Sequence, residues 1–134
     1  MENNEEMNNL NAENRQVTGK ISTNAELHLT ESYLDWGKWK KDPVTEIKNA
    51  ASESEIFVAC GRANTATGCE GYVKYKTNEG QEFKLYFDNP YSKDNSASIT
   101  GVNGSISKYN YSVDYPKTGH KWDAKYTLIK EDLQ

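Results

Sequence analysis

From Arg15 onward the chain alternates apolar and polar residues in short runs, broken by turn residues about every 8–12 positions, as in a β-sandwich or barrel. In AELHLTESYLDW, Ala25, Leu27 and Leu29 fall on one face of an extended strand. In EIFVAC, Ile56, Val58 and Cys60 do the same. The segment GYVKYKTNEGQEFKLYFDNP predicts a hairpin turning at Asn78-Glu79-Gly80, with Phe83, Leu85 and Phe87 on one face and Lys84, Tyr86 and Asp88 on the other. Asp88 and Asn89 suit a turn, and Pro90 ends the strand because it cannot donate to a ladder. In SKYNYSVDYP, Tyr109, Tyr111, Val113 and Tyr115 alternate with Lys108, Asn110, Ser112 and Asp114, and AKYTLIK supplies a last strand. Nowhere does an apolar pattern hold the helical period. The prediction is an all-β, antiparallel β-sandwich over residues 15–134, preceded by a disordered Asn- and Glu-rich tail over residues 1–14.

Composition fits that picture. Only 35% of the 134 residues are hydrophobic, but nine Tyr, three Phe and three Trp concentrate much apolar area in few side chains. The net charge of −4 resides in the tail, whose Glu2, Glu5, Glu6 and Glu13 have no basic neighbour, so the body is balanced. A balanced body offers no basic field for a phosphate polymer, and nucleic acid is not an expected partner. No apolar run is long enough to cross a bilayer as a helix, and no signal peptide is visible at the N-terminus. The expectation is synthesis in the cytoplasm followed by release or secretion. The Asn103 and Asn110 sequons are then incidental.

Catalytic and metal chemistry find little support. His28 lies in an alternating strand and His120 follows Thr118-Gly119 in a loop. No serine sits in a nucleophile elbow, and no phosphate loop, His-Glu-x-x-His motif or calcium loop is present. Cys60 and Cys69 are too far apart for close zinc-ligand pairing, leaving two reduced thiols or one optional bridge. The expected protein is not an enzyme and carries no metal or cofactor.

Two aromatic clusters remain. DWGKWKK, residues 35–41, would place Trp36, Lys38 and Lys40 on one face of a strand and Trp39 on the other. One indole then enters the core while the other stays at the surface with a lysine fringe. A surface indole suits the headgroup level of a membrane, where partial insertion contributes about 2–4 kcal/mol. Each lysine beside an anionic leaflet adds about 1 kcal/mol. In the second cluster Tyr86, Phe87 and Tyr91 surround Asp88, with Phe87 suited to the core. Tyr86 and Tyr91 form a rim able to hold a quaternary ammonium group, which Asp88 would favour.

In order along the chain, Trp36-Gly37-Lys38, the Ala59-Cys60-Gly61-Arg62 signature, Gly68 and Gly71, and the strand end YFDNPY followed by Ser92 and Lys93 resemble the aegerolysin family. The resemblance covers residues 15–130. It implies a small β-sandwich that recognises membrane lipid through a sphingolipid or phospholipid headgroup, with or without sterol. It also implies docking for a larger pore-forming protein partner, and it leaves a homo-oligomer on the membrane open. LYFDNP resembles the bacterial insecticidal branch, which includes the small component of binary toxins, more than the mushroom branch. Carried over position by position, Trp36 matches a lipid-contacting tryptophan, while Tyr86, Asp88 and Tyr91 match the segment beside the headgroup site and Lys93 falls near a basic position there. Lys38, Trp39 and Lys40 join them as lipid-binding candidates, and Arg62 suits a structural role at least as well. Departures from many fungal members at Arg15-Gln16-Val17 and across Phe87–Tyr91, and from some members of the family at Thr67, leave lipid preference open. A carbohydrate-binding module and a stand-alone lipid sensor are the alternatives.

Overall fold

The computed structural model describes residues 12–103 and 108–131. Residues 1–11 of the expected tail lie outside them. A 3-10 turn at Ala12–Asn14 leads into ten strands: β1 (Gln16–Thr23), β2 (Leu27–Trp36), β3 (Lys38–Lys41), β4 (Glu46–Ile47), β5 (Ser54–Cys60), β6 (Cys69–Thr77), β7 (Glu82–Asn89), β8 (Ser96–Gly101), β9 (Tyr109–Asp114) and β10 (Lys121–Lys130). They form two five-stranded sheets, ordered β3-β5-β1-β10-β9 and β4-β2-β6-β7-β8. The all-β sandwich is therefore as the alternation predicts.

One ladder departs from the antiparallel expectation. β1 and β10 pair in parallel from Gln16↔Lys121 to Thr23↔Leu128, bringing both ends of the domain to the middle of the first sheet. Local alternation carries no information about such a long-range pairing. A second correction lies in β5. The β1–β5 register slips at Gly19/Lys20, so Ile56 and Phe57 both reach the core, followed by Ala59. Gly19 makes room for Phe57, because a Cβ there would lie 2.2 Å from the ring. A third lies in β7, where Asp88 and Asn89 continue the strand instead of turning.

The interior follows the apolar faces. Phe83, Leu85 and Phe87 of β7 are fully buried against Phe57, Trp122, Tyr126 and Leu128 from the other sheet's inner face. Polar links join the two sheets at one end. The Tyr126 hydroxyl donates to the Tyr86 carbonyl at 2.7 Å. The buried Asn89 amide donates to the carbonyls of Gln16 (3.2 Å) and His120 (2.8 Å). Asn89 thereby pins the end of β7 to the parallel pair, which fixes the platform described next.

Candidate functional site

DWGKWKK does not form one strand. β2 ends at Trp36 in the second sheet, Gly37 takes φ +97°, and β3 begins at Lys38 in the first. Only glycine suits this crossing, since a Cβ would also lie 2.5 Å from the Cys60 carbonyl oxygen. The two tryptophans consequently separate. Trp36 is 56% exposed, whereas Trp39 packs edge-on against Phe57 (5.4 Å) and Phe87 (6.0 Å).

Beside Trp36 lies a cavity of about 330 Å³, bounded by the loop before β6, the end of β7 and the bend at 90–93. Its chemistry comes from Trp36, Glu70, Asp88, Tyr91 and Lys93. Gly68 keeps one wall thin, because a Cβ there would lie 1.7 Å from the Asn89 carbonyl oxygen. Antiparallel register sets Glu70 of β6 directly opposite Asp88 of β7. Burial, reinforced by Glu70 and opposed by Lys93, pushes the Asp88 carboxyl up to about 6. The Tyr86 hydroxyl donates to Glu70, and burial together with that carboxylate raises the phenol. At neutral pH the arrangement is an acidic wall under an exposed indole, with Tyr91 and the exposed Lys93 on the bend.

Of the residues predicted for lipid binding, the fold brings Trp36, Asp88, Tyr91 and Lys93 to one cavity and sets Tyr86 alongside. It does not bring Lys38, Trp39 or Lys40 there. Lys38 pairs with Glu13 at 2.7 Å and Lys40 donates to the Gln16 side chain at 3.1 Å, both on the first sheet. The signature residues are scaffold in their contacts. Ala59 and Cys60 are buried, the Gly61 amide donates to the Arg15 carbonyl at 3.0 Å, and Arg62 is exposed with its carbonyl accepting from Thr65 at 2.8 Å. Cys60 and Cys69 are both free thiols. Neither histidine lines the cavity. Among the described residues no group of acids, histidines and cysteines converges to hold a metal.

Three contributors escaped the sequence reading. Glu70 needs the β6–β7 register to be placed. Tyr33, 47% exposed, stacks on Tyr72 at 5.6 Å, and Lys84 lies 4.4 Å above the Tyr72 ring, extending an aromatic face beyond the cavity. Arg15, at the entry to β1, lies 4.4 Å from the Tyr91 ring centroid. Alternation flags a tyrosine as exposed or buried but not which strand it faces.

The sequence pattern of the aegerolysins matches residues 14–122, most of the chain. The chain belongs to the aegerolysin family. Members of this family are non-enzymatic lipid-binding proteins, in keeping with the absence of a catalytic motif in the sequence. Among solved structures, this aegerolysin is similar to the lipid-binding protein Nakanori, with 11% identity, TM-score 0.74, and 84% of this chain and 70% of that one covered. It is similar also to RahU, crystallised in complex with a TRIS molecule (18% identity, TM-score 0.67, 92% and 100% covered). A third is IP-1A from Alcaligenes faecalis (22% identity, TM-score 0.64, 92% and 96% covered). At these identities the likeness establishes the fold. No curated protein sequence matches the chain.

Proposed function

We propose that this aegerolysin docks on target-cell membranes by taking a phospholipid or sphingolipid headgroup with a cationic end into the Trp36 cavity. The observation that carries this reading is the pairing of an exposed indole with the Glu70–Asp88 wall. The indole can enter the interfacial layer, and the carboxylates attract an ammonium group at the depth the indole reaches. Nakanori, of the same fold, is described as lipid binding, which is consistent with this reading.

Docking serves, in this proposal, a larger pore-forming protein as in the bacterial binary toxins the sequence resembles, after release from the producing cell. The burial of β9 and β10 supports a division of labour. Tyr109, Trp122, Tyr126 and Leu128 are buried in the sandwich, so refolding these strands into a membrane hairpin would dismantle the core. Co-sedimentation with vesicles tests the docking step. Sphingomyelin–cholesterol, ceramide phosphoethanolamine, phosphatidylcholine and, as a headgroup without an ammonium end, phosphatidylglycerol vesicles are compared, each with and without moderate salt and simple sugars. The reading expects pelleting with at least one headgroup bearing an ammonium end, resistant to salt and to sugar. Release by sugar would favour a lectin, and release by salt would favour simple electrostatic adhesion.

A further inference from the structure

The cavity carries groups of both charges, and one of its lining residues, Tyr91, is backed by a cation outside the lining. Glu70 and Asp88 form one wall, while Tyr91 and Lys93 stand on the bend after β7. Against Tyr91 lies Arg15, only 9% exposed. One terminal nitrogen of its guanidinium donates to the Asn14 side chain at 2.9 Å and the other to the Tyr91 carbonyl at 3.2 Å. Its Nε–H is buried with no acceptor, and among the described residues no carboxylate lies within ion-pair distance of it. Burying a guanidinium without an acid is costly, and the Tyr91 ring and carbonyl offset only part of that cost.

A ring that already holds a cation against it is a poorer host for a second one. The Tyr91 end of the cavity therefore disfavours an ammonium group and favours an anionic one, and Lys93 adds charge of the same sign. The Glu70–Asp88 wall has the reverse preference. We propose that Arg15, acting through and beside Tyr91, is the residue that selects the phosphate of a zwitterionic headgroup, orienting it with its ammonium end on Glu70 and Asp88. Arg15 is a positioning and specificity residue in this assignment, which rests on the headgroup reading above.

The test compares soluble phosphocholine, choline and inorganic phosphate as ligands of the full chain by titration calorimetry, alongside vesicle sedimentation. The variants are Arg15→Gln, which keeps donors but removes charge, and Arg15→Lys, which keeps charge. In the wild type phosphocholine binds at least about tenfold tighter than choline; Arg15→Gln removes that advantage, leaves choline within roughly twofold, and Arg15→Lys restores it. Equal weakening of both ligands by Arg15→Gln would mean that Arg15 only props up Tyr91, and an unchanged ratio would mean that it has no part in selection; either overturns the assignment. Inorganic phosphate binding as tightly as phosphocholine also overturns it, by showing a simple anion site. If the wild type binds vesicles while Arg15→Gln leaves the ratio intact, only the role of Arg15 falls. If the wild type binds neither vesicles nor headgroups, the docking reading falls and the assignment with it.

Discussion

Replacing Asp88 with asparagine should make the protein more stable and a weaker binder at once. In the folded protein the Asp88 carboxyl is pushed from 3.8 up to about 6 by burial and by Glu70. A raised acid is penalised in the native state wherever it is ionised. The penalty is full above the folded value, shrinks as pH falls through it, and is gone below the unfolded value. An undiscounted shift of that size corresponds to about 3 kcal/mol, but Asp88 is partly open to water, which screens the penalty, so about 1 kcal/mol is the reasonable expectation. Asp88→Asn should therefore raise the melting temperature by roughly 3–5 °C at pH 7. The gain should vanish near pH 4, where wild-type Asp88 is protonated as well. Binding should move the other way. Loss of one of two carboxylates facing the ammonium should weaken vesicle binding about tenfold, and wild-type binding should likewise decline as pH falls through about 6. Thermal unfolding and vesicle sedimentation from pH 4 to pH 8 read both effects. A variant less stable at pH 7, or a stability difference that does not change with pH, would refute the reasoning.

Other substitutions separate the site from its scaffold. Trp36→Ala should abolish most vesicle binding with little change in melting temperature, because the indole is exposed. Trp39→Ala should instead cost at least about 2 kcal/mol in denaturant unfolding, since its ring fills space between Phe57 and Phe87. Gly68→Ala should lower both stability and binding, as the new methyl meets the Asn89 carbonyl and displaces the end of β7. Lys38→Ala and Lys40→Ala should leave both vesicle affinity and melting temperature essentially unchanged, because their exposed contacts are with Glu13 and Gln16.

What the sequence makes legible here is what two-residue alternation encodes. Phe83, Leu85 and Phe87 stand out because their faces are set within one strand, and all three are buried. The same logic fails at Gly37. Counting alternation through a residue of positive φ joins two strands that belong to different sheets, which is why Lys38 and Lys40 look like companions of Trp36. The bulge in β5 defeats the count in the same way, turning Phe57 inward beside Ile56. Glu70 and Arg15 are illegible for another reason. Their roles depend on partners 18 and 76 positions away, Asp88 and Tyr91, which only pairing and packing bring into contact. The family motifs lead to the cavity because Trp36, Asp88, Tyr91 and Lys93 each stand at a strand end or a bend, where the fold gathers them.

The placement of lipid contact at the Trp36 cavity is tested most directly by NMR of the three tryptophan indoles, at 36, 39 and 122, during titration with a short-chain lipid bearing the preferred headgroup. The signal of Trp36 should shift and saturate, while those of the core residues Trp39 and Trp122 stay in place. Saturable shifts at Trp39 or Trp122 with Trp36 unmoved would locate the lipid elsewhere and contradict the account.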